Sequence, residues 1–360
     1  MTDRAEDGPG GTTGPTVRIG VLGAARVVKT ALTEPAREVP EVTVAALAAR
    51  DPARAREHAA RLGIPRVHDS YDALLADPEL DAVYVALPNA LHATWGERAL
   101  RAGKHVLVEK PVTSNENEAR QLARAAEETG RIVCEAMHPL YHPLNDRVRE
   151  LLAAGTIGEI RHAEAHVAFP IPSAKDIRWS YELGGGALMD LGVYALALLR
   201  SYVGAGGEEE AALKDVEGAL APVRTKDVDR RVDARLRFAG GATGRIVATM
   251  WGWPPLASRC LVEGTAGRLT VLNPLGPQMF HRITVTAGGR RTRERVVKQP
   301  STYACQLRAF ARAVTGGEPL RSGPEQFVPA MAAIDAIYRR AGLPPRGAGA
   351  EAGRVAGETV

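Results

Sequence analysis

Cysteine and lysine are both scarce in this chain of 360 residues, and each shortage excludes something. Cys134, Cys260 and Cys305 are odd in number and stand far apart with no C-x-x-C pair, which argues against a disulfide framework and a zinc site; all three read as core residues. No stretch of about 18 apolar residues occurs, so no membrane-spanning helix is expected. Residues 1–16 carry Asp3, Arg4, Glu6 and Asp7 among glycines and threonines and lack an apolar h-region. They read as a disordered tail without a secretory signal, and the expected location is the cytoplasm. The 46 basic and 42 acidic residues are interspersed without a basic block, which argues against nucleic acid and leaves a mild bias towards small anions. Metal ligands are lacking too. His162 and His166 share a strand face but lie about 13 Å apart along it, and Pro139 spoils a helical pairing of His138 with His142. Only seven of the basic residues are lysine, so a lysine beside a buried strand invites a functional reading.

What is present is length enough for two domains and a strict βα rhythm. Apolar strands over 17–22, 42–48, near Val67, 81–87, 105–108 and 132–136 alternate with helices, one opened by Asp51-Pro52 and one by a capping box Thr113-x-x-Glu116. That alternation predicts an α/β fold beginning with a doubly wound parallel sheet. After Pro139 the pattern changes. A helix over 144–154, a strand over 160–169 and a helix launched from Gly184-Gly185-Gly186 precede an exposed loop over 204–210. Period-2 alternation over 232–238 follows, with strand-like runs over 243–251, 261–263, 268–272 and 283–287. The expectation is a C-terminal α/β domain with a large open, mainly antiparallel sheet, its exposed apolar face serving as an oligomer surface. Helices over 302–314 and 324–341 close it. The expected divisions are a tail over 1–16, a nucleotide-binding domain over 17–137, a substrate-binding and oligomerisation domain over 138–342, and a flexible tail over 343–360.

In open α/β sheets ligands sit at the carboxyl ends of the strands. Gly20 and Gly23, with Ala24, Ala25 and Arg26, form a strand-turn-helix corner of the kind that seats a pyrophosphate on backbone N–H groups. Ala25 and Val28 stand where a G-x-G-x-x-G template has its later glycines. The second strand ends in Ala49-Arg50, which suits a phosphorylated ribose and favours NADP(H); Asp51 keeps NAD(H) open, although it is also a natural helix cap. Leu87, Pro88 and Asn89, with His92 one turn on, are placed along the cofactor. The fifth strand delivers Glu109 and Lys110 to the same edge, where an ammonium meets a developing alkoxide.

Taken in order, Gly20-x-x-Gly23, Pro88-Asn89-x-x-His92, Glu109-Lys110-Pro111, Glu135-Ala136-Met137 with His142-Pro143, and Gly184-Gly185-Gly186-Ala187-Leu188-Met189-Asp190-x-Gly192-x-Tyr194 resemble the Gfo/Idh/MocA family over residues 17 to about 341. The resemblance implies an N-terminal Rossmann domain, pyridine-nucleotide redox chemistry on a sugar-like hydroxyl or ketone, and a homodimer or homotetramer. Many members carry histidine in place of Tyr194, so this chain looks closer to the tyrosine group of glucose–fructose oxidoreductase, dimeric dihydrodiol dehydrogenase and certain nucleotide-ketosugar reductases. Leu140 stands where an arginine is frequent.

Asp190 and Tyr194 are four apart on an expected helix and so share a face. Lys110 is expected to favour the phenolate of Tyr194 and lower its pKa, with Asp190 orienting the pair, so that Tyr194 exchanges a proton with the substrate oxygen. Arg178 and Asp176, in the loop before the glycines, are candidates to meet a polar substrate. The reading is an NADP(H)-dependent oxidoreductase interconverting a secondary alcohol and a ketone on a sugar, cyclitol or dihydrodiol-like small molecule. Its rivals are an NAD-retaining, glycoside-cleaving relative and a non-catalytic sensor on the same fold; the presence of both Lys110 and Tyr194 speaks against the sensor.

Overall fold

Six parallel strands form the first sheet of the computed structural model, which describes residues 16–225 and 227–347. They are β1 (Val17–Leu22), β2 (Val42–Ala48), β3 (Arg66–His68), β4 (Ala82–Val85), β5 (His105–Val108) and β6 (Val133–Glu135), in the order 3-2-1-4-5-6. The central strand β4, Ala-Val-Tyr-Val and buried throughout, and the buried Val106–Val108 of β5 are what a sheet covered on both faces requires. Val17, Ile19 and Val21 point to one layer, while Val83, Val85, Val106 and Val108 point to the other. Asp51 caps its helix as expected, accepting the N–H groups of Ala53 and Arg54. The capping box at Thr113 does not form. The N-cap is Asn115, whose side chain accepts Glu118 N–H at 3.0 Å while Glu118 reaches back to Ser114 N–H at 2.9 Å. Thr113 is fully buried in the preceding loop and spends its hydroxyl on Asn115 O, which leaves the asparagine to open the helix.

The second sheet has eight strands: β7 (Ile160–Ala168), β8 (Leu213–Leu220), β11 (Arg231–Phe238), β12 (Thr243–Thr249), β13 (Ala257–Gly264), β14 (Gly267–Leu272), β15 (Arg282–Ala287) and β16 (Arg290–Glu294). Between β8 and β11, β9 (Val223–Thr225) and β10 (Val228–Asp229) make a separate ribbon. The order is 16-15-14-13-7-12-11-8, antiparallel except for β7 beside β12. The two edge strands, β8 and β16, escape a reading of periodicity because β16 is Arg-Arg-Thr-Arg-Glu and β8 buries only Val216 well. The helices Val193–Val203 and Pro324–Arg340 cover one face. The other face is polar at its centre, not apolar as expected: Glu164 reaches His162 at 3.3 Å and His166 at 3.0 Å, and Arg245 clasps Asp233 at 2.9 Å. Period-2 alternation turns the apolar residues of these strands towards the helices and leaves this ladder of charge outside.

Two boundaries differ from the sequence reading. The helix Thr302–Gly316 returns to the first sheet, where Leu307, Phe310 and Ala311 pack with Ile19, Val21 and Leu32, so the second domain does not own all of 138–342. The tail expected over 343–360 is anchored at its start. Arg346 is fully buried, with Nη2 2.7 Å from Asp229 Oδ1 and Nε donating to Gly185 O at 2.6 Å. Asp229 also accepts from the Tyr338 hydroxyl and from Leu188 N–H. The rest of that tail, and the N-terminal tail except Thr16, lie outside the described residues.

Candidate active site

The strand ends of the first sheet form one edge, and β1 supplies its turn. Gly23 sits at φ +106°, and a Cβ there would stand 2.4 Å from Ala86 O, so the backbone demands glycine. The N–H groups of Ala24, Ala25 and Arg26 have no backbone acceptor among the described residues, and they precede a helix over 27–36 whose middle, Lys29–Thr33, is π-wound. Arg50 projects exposed from the end of β2. Arg54, one turn into the next helix, donates to Ala24 O at 3.3 Å and so leans over the same turn. Unspent N–H donors at a helix start beside two guanidinium groups fit a dinucleotide that carries a further phosphate. Arg54 was missed by sequence reasoning, although its place one turn beyond the Asp51-Pro52 cap was a usable signal.

Several of the residues expected along the cofactor also have partners within the protein. Gly20 lies inside β1, where its missing Cβ admits Leu74 and Leu80, so it packs the sheet and does not reach the edge. His92 is buried, with Nδ1 2.7 Å from Pro111 O and Nε2 2.8 Å from Leu87 O, tying the loops after β4 and β5 together. Leu87 packs beside Gly23, next to Pro88. Asn89 donates to Gly184 O at 2.9 Å, which joins this edge to the glycine loop of the second domain. Glu109 accepts from the Tyr84 hydroxyl and from Lys110 N–H; burial pushes its carboxyl above the usual range.

Lys110 and Asp190 come together from different domains. Lys110 Nζ is 2.8 Å from Asp190 Oδ1 and 2.8 Å from Asp190 O, and Arg178 Nε is 3.0 Å from Asp190 Oδ2. Burial would raise the Asp190 carboxyl, but the two cations outweigh it and hold it below its ordinary value. Arg178 also grips Asp176 at 3.1 Å, and Arg26 reaches that carboxylate at 3.9 Å. The guanidinium of Arg178 is therefore already committed to two carboxylates.

Tyr194 departs from expectation in two ways. Its helix opens with a π-wound stretch, Leu188–Gly192, and its hydroxyl lies 3.3 Å from His138 Nε2, not on Asp190 or Lys110. The ammonium of Lys110 stands 4.8 Å from the centre of its ring. Its pKa is raised well above the ordinary value, first by burial and then by Tyr303 and the carboxylates Glu109, Asp190 and Glu135. Burial and those carboxylates outweigh the ammonium, so the Tyr194 hydroxyl keeps its proton and is not the expected phenolate. His138 was weighed only as a metal ligand; its partner lies far along the chain, and nothing in local spacing points to it.

Behind Lys110, Glu135 accepts Val112 N–H at 3.0 Å, and burial raises its pKa to about 7. The folded protein therefore holds a proton that the unfolded chain releases at lower pH. Stability from this group is full below the ordinary carboxylate pKa and is lost as pH rises through 7. Glu135→Gln, which mimics the protonated form, should melt with the wild type near about pH 4 and a few degrees above it near about pH 8, as thermal denaturation at both values would show.

Residues 17–137 match the model of an oxidoreductase family with an NAD-binding Rossmann fold, and residues 146–270 match the GFO/IDH/MocA C-terminal domain. The chain is 37% identical over 327 residues to D-xylose 1-dehydrogenase (NADP(+)) 2 of Haloferax volcanii, covering 89% of this chain and 96% of that protein. It is 35% identical over 324 residues to dTDP-3,4-didehydro-2,6-dideoxy-alpha-D-glucose 3-reductase of Actinomadura kijaniata, covering 89% and 94%. A crystal structure of a 3-ketoreductase from Actinomadura kijaniata, in complex with NADP and TDP-benzene, superposes with a TM-score of 0.81 at 32% identity, covering 90% of this chain and 98% of that one.

Proposed function

The chain belongs to the Gfo/Idh/MocA oxidoreductase family, and from that premise we propose that it interconverts a secondary alcohol and a ketone on a sugar-like substrate, with NADP(H) as its redox partner and Lys110 and Tyr194 serving the reacting oxygen. The observation that carries this reading is the convergence of Lys110, from the edge of the first sheet, on Asp190 and the Tyr194 ring of the second domain. NADPH, when bound, supplies the hydride that reaches the carbonyl carbon. Ala24, Ala25 and Arg26 offer N–H groups to its pyrophosphate, and Arg50 and Arg54 face its extra phosphate. Lys110 donates to the carbonyl oxygen, and Tyr194 passes its hydroxyl proton to that oxygen. Water then returns a proton to the tyrosine. Arg178 and Asp176 serve the substrate indirectly, by holding Asp190 against Lys110. The assembly is a homodimer or homotetramer, supported by the open face of the second sheet, whose paired charges a second copy can cover.

The experiment is a screen of ketosugars and nucleotide-linked ketosugars followed by NADPH absorbance. Consumption of NADPH with formation of the matching alcohol is expected. Cleavage of a glycoside with no net change in cofactor would replace this reading.

Cofactor choice is separately testable. Arg50→Ala and Arg54→Ala should each weaken NADPH by about tenfold, the worth of a charge-assisted hydrogen bond, while leaving NADH nearly unchanged. Fluorescence titration with both nucleotides measures this, and equal losses would remove these arginines from the phosphate.

A further inference from the structure

His138 is buried in the short turn that follows β6, beside Tyr194, and none of the steps above uses it. Its Nε2 is 3.3 Å from the Tyr194 hydroxyl, its Nδ1 is 2.9 Å from Thr302 Oγ1, and its ring lies 4.0 Å from that of Tyr303. Thr302 is fully buried, and among the described residues its hydroxyl has no hydrogen-bond partner but His138. A buried hydroxyl must place its proton somewhere, and leaving it unmet is costly. That proton therefore goes to Nδ1, which makes Nδ1 the acceptor and puts the imidazole N–H on Nε2.

We propose that His138 is a positioning residue for Tyr194: fixed by Thr302 in its Nε2–H tautomer, it donates to the phenol oxygen and leaves the tyrosine's own proton free for the substrate. The proposal rests on the reading of Tyr194 as proton donor. The opposite tautomer would aim a lone pair at Tyr194, draw its proton away from the substrate and leave the resulting phenolate without a donor. The groups facing this cluster are Lys110, Glu109, Glu135, Asp190 and Tyr303. Burial, and then the charge of Lys110, lowers His138 to about 3, so the imidazole stays neutral and its role is constant across working pH. The Nε2–H offers the half-buried phenolate a hydrogen bond once its proton has gone to the substrate.

One test needs no substrate. In protein labelled with 15N-histidine, the signal lost in His138→Met should show a protonated Nε2 and a bare Nδ1, and Thr302→Val should disturb that pattern. A protonated Nδ1 in the wild type would overturn the proposal. The kinetic test is that His138→Met lowers kcat by about ten- to a hundredfold with KM and NADPH affinity unchanged. In alcohol oxidation, where Tyr194 accepts the proton, the alkaline rise in rate should move up by about one pH unit. His138→Gln, which retains an N–H donor, should recover part of the loss. An unchanged kcat and pH profile in His138→Met, in an active wild type, would overturn the role of His138 and leave Tyr194 as donor. A wild type that turns over no ketosugar would count against the proposed function, and the tautomer would still decide the assignment of His138.

Discussion

Lys110→Met should bind NADPH about as well as the wild type and turn over about two orders of magnitude more slowly, or slower still. An ammonium has three N–H donors. Two are spent on Asp190, on its carboxylate and its own carbonyl, each at 2.8 Å. These bonds fix the third, which is the one left for a substrate oxygen as negative charge grows on it. Methionine keeps the bulk of the stem, and Asp190 keeps Arg178 at 3.0 Å, so the fold should survive the change. Tyr194→Phe removes the proton at the same oxygen. Because the two groups act on one atom, the double variant should lose little more than the worse single one. Single-turnover rates with all three variants, beside nucleotide titrations, measure this. Near-normal turnover in Lys110→Met would sink the mechanism.

The other large effect is on stability. Arg346→Ala should cost about 3–5 kcal/mol, because it leaves the Asp229 carboxylate in the interior without its cation. Both side chains have zero exposure, and they meet at 2.7 Å. The loss should appear as a lower urea midpoint with an unchanged slope. Asp229→Asn in the same background should restore part of it, since the amide oxygen can still accept from Tyr338 or Leu188. Turnover should fall as well, because Gly185 O loses its donor and the loop carrying Arg178 loosens against Asp190. A midpoint equal to that of the wild type would show that the buried pair does not carry this corner of the fold.

These two cases mark what the sequence does and does not disclose. Lys110 is legible because it follows an apolar strand, and position at a strand end is a one-dimensional fact. Strands β2, β4 and β5 are legible for the same reason, being rich in Val, Leu and Ala, whereas β3 is only Arg-Val-His. Arg346 is not legible: in a Gly- and Pro-rich stretch it resembles any solvated arginine, and only the meeting of distant segments gives it Asp229. Tyr194 is half legible. Its place on the helix could be read, but the sign of its pKa shift depends on how many carboxylates crowd it and how much water is excluded. The strands β8 and β16 stayed hidden because at an edge pairing is enough, and no apolar period is needed to hold them.

The helix Thr302–Gly316, which lays Leu307 and Phe310 over Ile19 and Val21, also sets an order on biosynthesis. Chains fold as they leave the ribosome, N-terminal parts first. Here the outer layer of the first sheet cannot close until residue 311 has been made, so the nascent nucleotide-binding half waits with a greasy seam uncovered. A gene fragment ending near residue 137 would therefore yield a product that sticks to itself, however complete its strands.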